Sequence, residues 1–126
     1  MGATDVDFSL LTNAGAARSF KTGEAIFRQG DPATELFVVE SGTVEIRLGE
    51  RVLDTVSGHE IFGEMALIDG GIRSATAVAA TDVRVVPVDE QRFLFLVRHT
   101  PYFALNVMRV MVQRLRAIRD ATASAA

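Results

Sequence analysis

Short apolar runs separated by turn residues fill most of this chain, and they constrain its fold more than any other feature. Between residues 20 and 89 these runs are broken by pairs such as Asp31-Pro32 and Ser41-Gly42. Brief runs rich in β-branched and aromatic residues, bounded by glycine, proline and aspartate, are typical of strands, since a helix needs a longer stretch with a different period. This part of the chain therefore predicts antiparallel β structure.

Two stretches carry the clearest strand signals. Residues 43–48 alternate polar and apolar side chains, and residues 51–56 follow after a turn that contains glycine, which predicts a hairpin. Residues 74–88 are dense in valine and threonine and form a second strand-rich stretch, which ends at Asp89. The β region is expected to close there.

The spacing of the apolar residues becomes helical after the β region. Asp89 can cap a helix that continues to about His99, and Pro101 can start a second helix that ends near Asp120. Proline suits the first turn of a helix because the amide it lacks would have no partner there. Two helices are therefore expected to complete the domain.

The last of these helices carries apolar residues around more of its circumference than one sheet can cover. A surface helix normally shows a single apolar stripe toward its own core. We therefore expect one side to pack on the domain and the other to contact a second copy or another protein, through Val107, Met111 and Leu115. A homodimer through this helix is one candidate assembly.

The predicted fold class is α+β, mainly β. It consists of an antiparallel β-roll of the jelly-roll type over about residues 20–89, with a short helical turn inside it, followed by C-terminal helices over about residues 90–120. A chain of 126 residues without an internal repeat or linker suits one domain, expected to span residues 1–126.

The composition argues against several classes of protein. The chain has no cysteine, and its only histidines are His59 and His99, which excludes a disulfide framework and a thiolate nucleophile and argues against a metal site. A net charge of -3 gives no general attraction to nucleic acid. There is no apolar run of about 18 residues and no basic secretion signal, so we expect a cytoplasmic protein without a membrane span.

Residues 61–76 fit neither a strand nor a long helix, and they carry the candidate site. Gly63 permits close backbone approach, and residues 64–67 suit one helical turn whose first amides have no internal partner. The planar guanidinium of Arg73 can hold a phosphate that those amides also contact. Glu64 would repel a phosphate but can accept a hydrogen bond from a ribose hydroxyl. A cyclic phosphate fused to a ribose supplies both groups.

Taken alone, these residues leave a second interpretation open. Residues 62–64 can also be a turn with a solvated acid, and Arg73 can pair with Glu64 or Asp69 at the surface, where such ion pairs are common and contribute little. An enzyme acting on a nucleotide is a weaker alternative. It would need His59 as general acid or base, and no nucleophile or second base accompanies that residue in the sequence.

The segment Phe62-Gly63-Glu64-Met65-Ala66-Leu67, followed by Arg73-Ser74-Ala75, resembles the phosphate-binding cassette of the cyclic-nucleotide-binding domain family. That pattern is Phe-Gly-Glu-apolar-Ala-Leu and then Arg-Ser/Thr/Ala-Ala. The resemblance extends upstream to residues 20–31 and 36–44, which are similar to the first strands and turns of the family. One departure is Ile72, where the family often has proline.

The resemblance implies cAMP or cGMP as the ligand and no cofactor or metal. The family's acid at the position of Glu64 accepts from the ribose 2′-hydroxyl, and its arginine at the position of Arg73 binds the cyclic phosphate. Arg114, at the matching distance after the cassette, would act as a lid whose guanidinium stacks on the base. The other ligand-binding residues implied are Gly63, Met65, Ala66, Ser74 and Ala75.

The expected function is that of a sensor and not of an enzyme. Ligand binding would move the C-terminal helices and signal to an effector protein or to an output domain outside this sequence. The transcription-factor branch of the family continues into a helix-turn-helix, which is not found before the chain stops, so no direct DNA binding is expected. The alternative is an interaction or dimerisation module with a degenerate nucleotide pocket.

Overall fold

A computed structural model describes residues 17–65 and 71–125 of the chain. Within these residues two four-stranded antiparallel sheets, in the orders β1-β8-β3-β6 and β2-β7-β4-β5, precede two helices. This confirms the predicted β-roll with C-terminal helices. The elements are β1 Arg18–Phe20, β2 Ala25–Phe27, β3 Glu35–Ser41, β4 Val44–Leu48, β5 Arg51–Val56, β6 Ile61–Phe62, β7 Thr76–Ala79, β8 Val83–Asp89, α1 Glu90–His99 and α2 Tyr102–Ala125.

Strand β3 lies inside the first sheet and is covered on both faces. Leu36 and Val38 belong to a core shared with the helices, whereas Phe37 and Val39 belong to the core between the two sheets. A strand buried on both faces needs consecutive apolar residues, because neighbouring side chains point to opposite sides. The unbroken run at residues 36–39 thus places β3 at the centre of the molecule.

The predicted hairpin is present as β4 and β5, but its pairing is irregular. Ile46 pairs with Asp54 and Arg47 pairs with Val52, so Leu53 is an extra residue on β5. A bulge of this kind increases the local twist and changes the direction of the side chains beside it. Here it lies next to the segment that carries the candidate site.

Helix α1 begins where the sequence predicted it. The carboxylate of Asp89 accepts a hydrogen bond of 2.9 Å from the backbone amide of Arg92, which satisfies one of the free donors of the first turn. At the other end the amide of Thr100 donates to the carbonyl of Leu96. The short connection then turns the chain directly into α2.

Helix α2 corrects two expectations. It extends to Ala125 instead of ending near Asp120, in a stretch of small residues without proline or glycine to stop it. Val107 lies in the core with Phe103 and Val110, and Met111 packs against it, so neither faces outward as expected. Helical spacing of three and four residues places this set on one side. The exposed apolar side chains of α2 are Tyr102, Leu105, Met108, Val112 and Leu115.

Candidate ligand-binding cleft

Gly63 follows β6 and allows the chain to approach Arg73 closely. Its φ is +76°, a conformation that favours glycine, and a Cβ atom built there would lie 2.7 Å from the Nη1 atom of Arg73. The same Nη1 donates a hydrogen bond of 3.1 Å to the carbonyl of Gly63. Both the backbone conformation and the contact therefore require glycine at this position.

Arg73 is a buried cation with one hydrogen-bond donor that lacks an acceptor among the described residues. Only 5% of it is exposed, and its guanidinium carbon lies 4.0 Å from the centre of the Phe27 ring. Its Nε is buried and has no hydrogen-bond partner among the described residues. Burial lowers the pKa of Arg73. A buried guanidinium donor without an acceptor is the group that an anionic ligand would satisfy.

Backbone hydrogen bonds fix the position of this arginine. The amide of Arg73 donates to the carbonyl of Asp31 over 2.8 Å, and the carbonyl of Arg73 accepts from the amide of Gly30 over 2.9 Å. The turn after β2 and the segment before β7 are thus joined at the backbone of Arg73. These bonds fix the point from which the side chain extends, and stacking on Phe27 restricts the guanidinium itself, so less freedom is lost when a ligand binds.

Glu64 is the most deeply buried charged residue of the described chain, with 1% of its surface exposed. Its two carboxylate oxygens lie 3.2 and 3.4 Å from the Nη1 atom of Arg114. Burial raises the pKa of Glu64, and the positive charge of Arg114 opposes that effect. The surface ion pair of Glu64 with Arg73 that remained open from the sequence is absent from the described residues, and Asp69 lies outside them.

Arg114 connects helix α2 to the cassette and to two strands. Its Nε donates to Asp54 over 2.9 Å, its Nη1 contacts Glu64, and its Nη2 donates to the carbonyl of Ile61 over 3.0 Å. Every nitrogen of the guanidinium thus has an acceptor, and the residue is 7% exposed. The lid role expected from the sequence, with this group stacked on a base, would require it to leave these partners and stays a prediction.

These groups line one cleft that opens to solvent. Of the residues selected from the sequence, the cleft brings together Gly63, Glu64, Met65, Arg73, Ser74, Ala75 and Arg114. Ala66 lies outside the described residues. The exposed hydroxyl of Ser74 is 3.8 Å from the sulfur of Met65, a weak contact that leaves it available to a ligand.

Sequence reasoning missed the apolar wall of the cleft and one acid beside it. Phe27, Ile46 and Leu53 complete the lining, and Asp54 holds Arg114 from outside the lining. Phe27 and Ile46 carry the ordinary signal of inward-facing strand residues. Leu53 and Asp54 had no such signal, because the bulge in β5 places two neighbouring residues beside the same site.

The arrangement can bind a ligand that is anionic at one end, carries a hydroxyl group and has an apolar ring. Arg73 supplies the cation, Glu64 supplies a buried acceptor, and the apolar wall supplies a surface for a ring system. In the described part of the chain no cluster of three or more side chains could hold a metal ion. None of the helices described there is both long and apolar enough to span a bilayer.

Comparison with known proteins assigns this chain to a family. A family model described as cyclic nucleotide-binding domain matches residues 17–100. The cyclic AMP receptor protein of Thermus thermophilus is 39% identical over 104 residues, which are 79% of this chain and 48% of the receptor. Human cGMP-dependent protein kinase 2 is 31% identical over 83 residues, which are 66% of this chain and 11% of the kinase.

Solved structures agree with the sequence comparison. The crystal structure of the Thermus thermophilus catabolite activator protein has a TM-score of 0.71 and 32% identity, with 92% of this chain and 62% of that chain covered. The chain therefore belongs to the cyclic nucleotide-binding domain family, as its sequence predicted. It spans about half the length of the receptor protein that it matches.

Replacing Gly63 with alanine is expected to displace the Arg73 guanidinium and to weaken ligand binding about tenfold or more, because a Cβ would meet Nη1 at 2.7 Å. Gly49→Ala is the matched control: Gly49 has a φ of +62°, and a Cβ there meets nothing within 4 Å. Calorimetric titration of both variants with cAMP measures the difference. Equal losses of affinity would mean that backbone strain, and not the contact with Arg73, is responsible.

Proposed function

We propose that this domain is a cyclic-nucleotide sensor, with cAMP as the first candidate ligand. The observation that carries the proposal is the buried, partly unsatisfied guanidinium of Arg73, which lines the same cleft as the buried carboxylate of Glu64. A cyclic phosphate would supply the acceptor for Arg73. The adjoining ribose would supply a hydroxyl donor for Glu64.

The choice between cAMP and cGMP depends on the part of the cleft that would meet the base. The side chains of Phe27, Ile46 and Leu53 on the apolar wall carry no hydrogen-bonding group that distinguishes the two purines. The Ser74 hydroxyl can donate to a phosphate or contact a guanine, so it does not decide the preference. The relatives include a cyclic AMP receptor and a cGMP-dependent kinase. We place cAMP first and treat cGMP as the competitor in the experiment.

Arg114 would couple the ligand to the C-terminal helices. It is the residue of α2 whose side chain reaches Glu64, and a ribose hydroxyl would compete for the same carboxylate oxygens. A ligand that changes this contact changes the relative stability of two positions of α2. The movement would be transmitted to an effector protein or an output domain. The domain has no catalytic role in this scheme, and we place it in the cytoplasm.

The proposal is tested by titration calorimetry of the purified protein with cAMP, cGMP and 5′-AMP. Binding of cAMP at about micromolar dissociation constant or tighter is expected, with 5′-AMP weaker because its second negative charge would add to the repulsion from the Glu64 carboxylate in the same cleft. Absence of heat with both cyclic nucleotides at millimolar concentration would contradict the proposal. Hydrogen exchange of residues 90–120 with and without ligand then tests the coupling, which is excluded if exchange there is unchanged on saturation.

The exposed face of α2 favours a second role, self-association. Leu105, Met108, Val112 and Leu115 follow one another at intervals of three, four and three residues, which is the spacing of a helix that pairs with another helix. Their exposure leaves an apolar stripe along one side of the domain. We propose that a second copy of this chain pairs with this stripe, with or without a functional nucleotide cleft.

Val112→Glu is expected to convert the protein from dimer to monomer, since a charge in a helix-pairing seam would be buried without a partner. Val52→Glu is the matched control, because Val52 is an exposed valine on β5 with 46% of its surface accessible against 45% for Val112. Sedimentation velocity over a range of protein concentrations distinguishes the species. A wild-type protein that stays monomeric at high concentration would contradict the self-association proposal.

A further inference from the structure

Asp54 contacts Arg114 of the candidate site, although no sequence pattern identified it as a site residue. It lies on β5 beside the extra residue Leu53, and its carboxylate accepts a hydrogen bond of 2.9 Å from the Nε of Arg114. Its side chain is 41% exposed, whereas the arginine that it contacts is almost fully buried. The bulge thus brings a partly solvated acid against the outer side of a buried cation.

We propose that Asp54 is a positioning residue that holds Arg114 against Glu64 in the nucleotide-free protein and thereby opposes nucleotide binding. This inference rests on the proposed cyclic-nucleotide function. Asp54 lies outside the lining of the cleft, so it acts through Arg114 and not through contact with the ligand.

The charges of the cluster support this role. Glu64 and Asp54 carry two negative charges, Arg73 and Arg114 carry two positive charges, and these four groups balance among themselves without a ligand. Asp31 and Glu35 add further negative charge near Arg73. A cyclic nucleotide adds one negative charge to a cluster that is already neutral. Removal of the Asp54 charge would leave one positive charge in excess, which a cyclic phosphate would neutralise.

The hydrogen bonds of Arg114 also support a positioning role for Asp54. Its three nitrogens are directed at Asp54, Glu64 and the carbonyl of Ile61, so the guanidinium is held from three sides. The bond to Asp54 is the shortest of the three contacts, and it is the one made with a charged group that a ribose does not replace. Without it the guanidinium has a free Nε donor and can turn toward an anion.

A contribution to stability alone does not explain the contact between Asp54 and Arg114 well. Pairs in which one partner is substantially solvated contribute little to stability, because water already stabilises the exposed charge. Asp54 also lies close enough to raise the pKa of Glu64 in addition to the effect of burial. Its charge therefore acts against the ionised form of the proposed ribose acceptor.

The test is the affinity of Asp54→Asn for cAMP by titration calorimetry. We expect binding about three- to tenfold tighter than in the wild type, the size of effect that one nearby, partly screened charge produces. Asp54→Glu keeps the charge and should restore an affinity close to the wild-type value. Glu45→Gln is the matched control, because Glu45 is an acid on the neighbouring strand β4 that pairs with Arg47 and does not line the cleft.

A second comparison shows whether Asp54 acts through Arg114. In an Arg114→Met background the Asp54→Asn substitution should change affinity less than twofold, and an Arg114→Gln background, which also lacks the positive charge, serves if the methionine variant does not fold. Unchanged or weaker binding by Asp54→Asn, or an equal gain from Glu45→Gln, would overturn the proposal. A wild-type protein that binds no cyclic nucleotide would instead defeat the proposed function on which it rests, and the wild-type titration separates the two failures.

Discussion

Replacing Arg73 with alanine is expected to weaken cAMP binding by about 2 to 4 kcal/mol, which corresponds to a loss of about 30- to 1000-fold in affinity. The guanidinium is the buried cation of the cleft with an unsatisfied Nε, and a phosphate bound there would lose its charge-assisted partner. Arg73→Lys should recover part of the loss, since lysine restores the charge without the planar pair of donors.

The free energy of unfolding should respond much less than the affinity. In the unliganded protein Arg73 bears the cost of burial without an ion-pair partner among the described residues, and alanine removes that cost together with the packing on Phe27. Arg47→Ala is the control, because Arg47 pairs with Glu45 outside the cleft. If Arg47→Ala weakened binding as much as Arg73→Ala, the assignment of Arg73 to the phosphate would be rejected.

The Arg114→Met substitution is expected to lower the free energy of unfolding by about 3 to 5 kcal/mol at neutral pH, because it leaves Glu64 buried without its cation. Methionine keeps much of the apolar volume of the side chain, so the effect of lost charge is separated from that of lost packing. The double variant with Glu64→Gln should recover most of this stability. Urea denaturation measures all three proteins.

The same variant should show a characteristic dependence on pH. The pKa of Glu64 in the folded protein is raised above the ordinary 4.5. The Glu64 carboxyl group therefore loses its proton at a lower pH in the unfolded chain than in the folded protein. Stability therefore falls as the pH rises from 4.5 through the folded pKa. Loss of Arg114 removes the positive charge that opposes this rise in the pKa of Glu64. The pH range over which stability falls therefore becomes wider.

The deficit of Arg114→Met is consequently expected to be smallest near pH 4.5, where Glu64 can stay protonated, and to reach its full size at neutral pH. In the double variant with Glu64→Gln this part of the pH dependence should disappear. A deficit that is equal at all pH values, or that persists in the double variant, would show that packing and not the buried carboxylate is responsible.

Local signals explain why so much of this fold could be predicted from the sequence. The hairpin of β4 and β5 is marked by alternation and a turn, and the start of α1 is marked by Asp89, whose side chain bonds an amide three residues away. The cassette residues are close in sequence as well, and Arg73 with Gly63 at a separation of 10 forms one compact segment. Such features depend on neighbours along the chain, which the sequence displays directly.

Only the tertiary structure decided which partners the charged groups have. Arg114 is 50 residues from Glu64 and 60 from Asp54, and no local pattern links them. Their contact depends on the bulge at Leu53 and on which side of α2 faces the sheet. The orientation of α2 on the sheet also buries Val107, which the sequence alone had placed on the outer side of the helix. Residue types thus determined the chemistry available to the cleft, whereas packing of the helix on the β-roll determined that Arg114 meets Glu64 and Asp54, because contacts between distant residues are fixed by the assembled core.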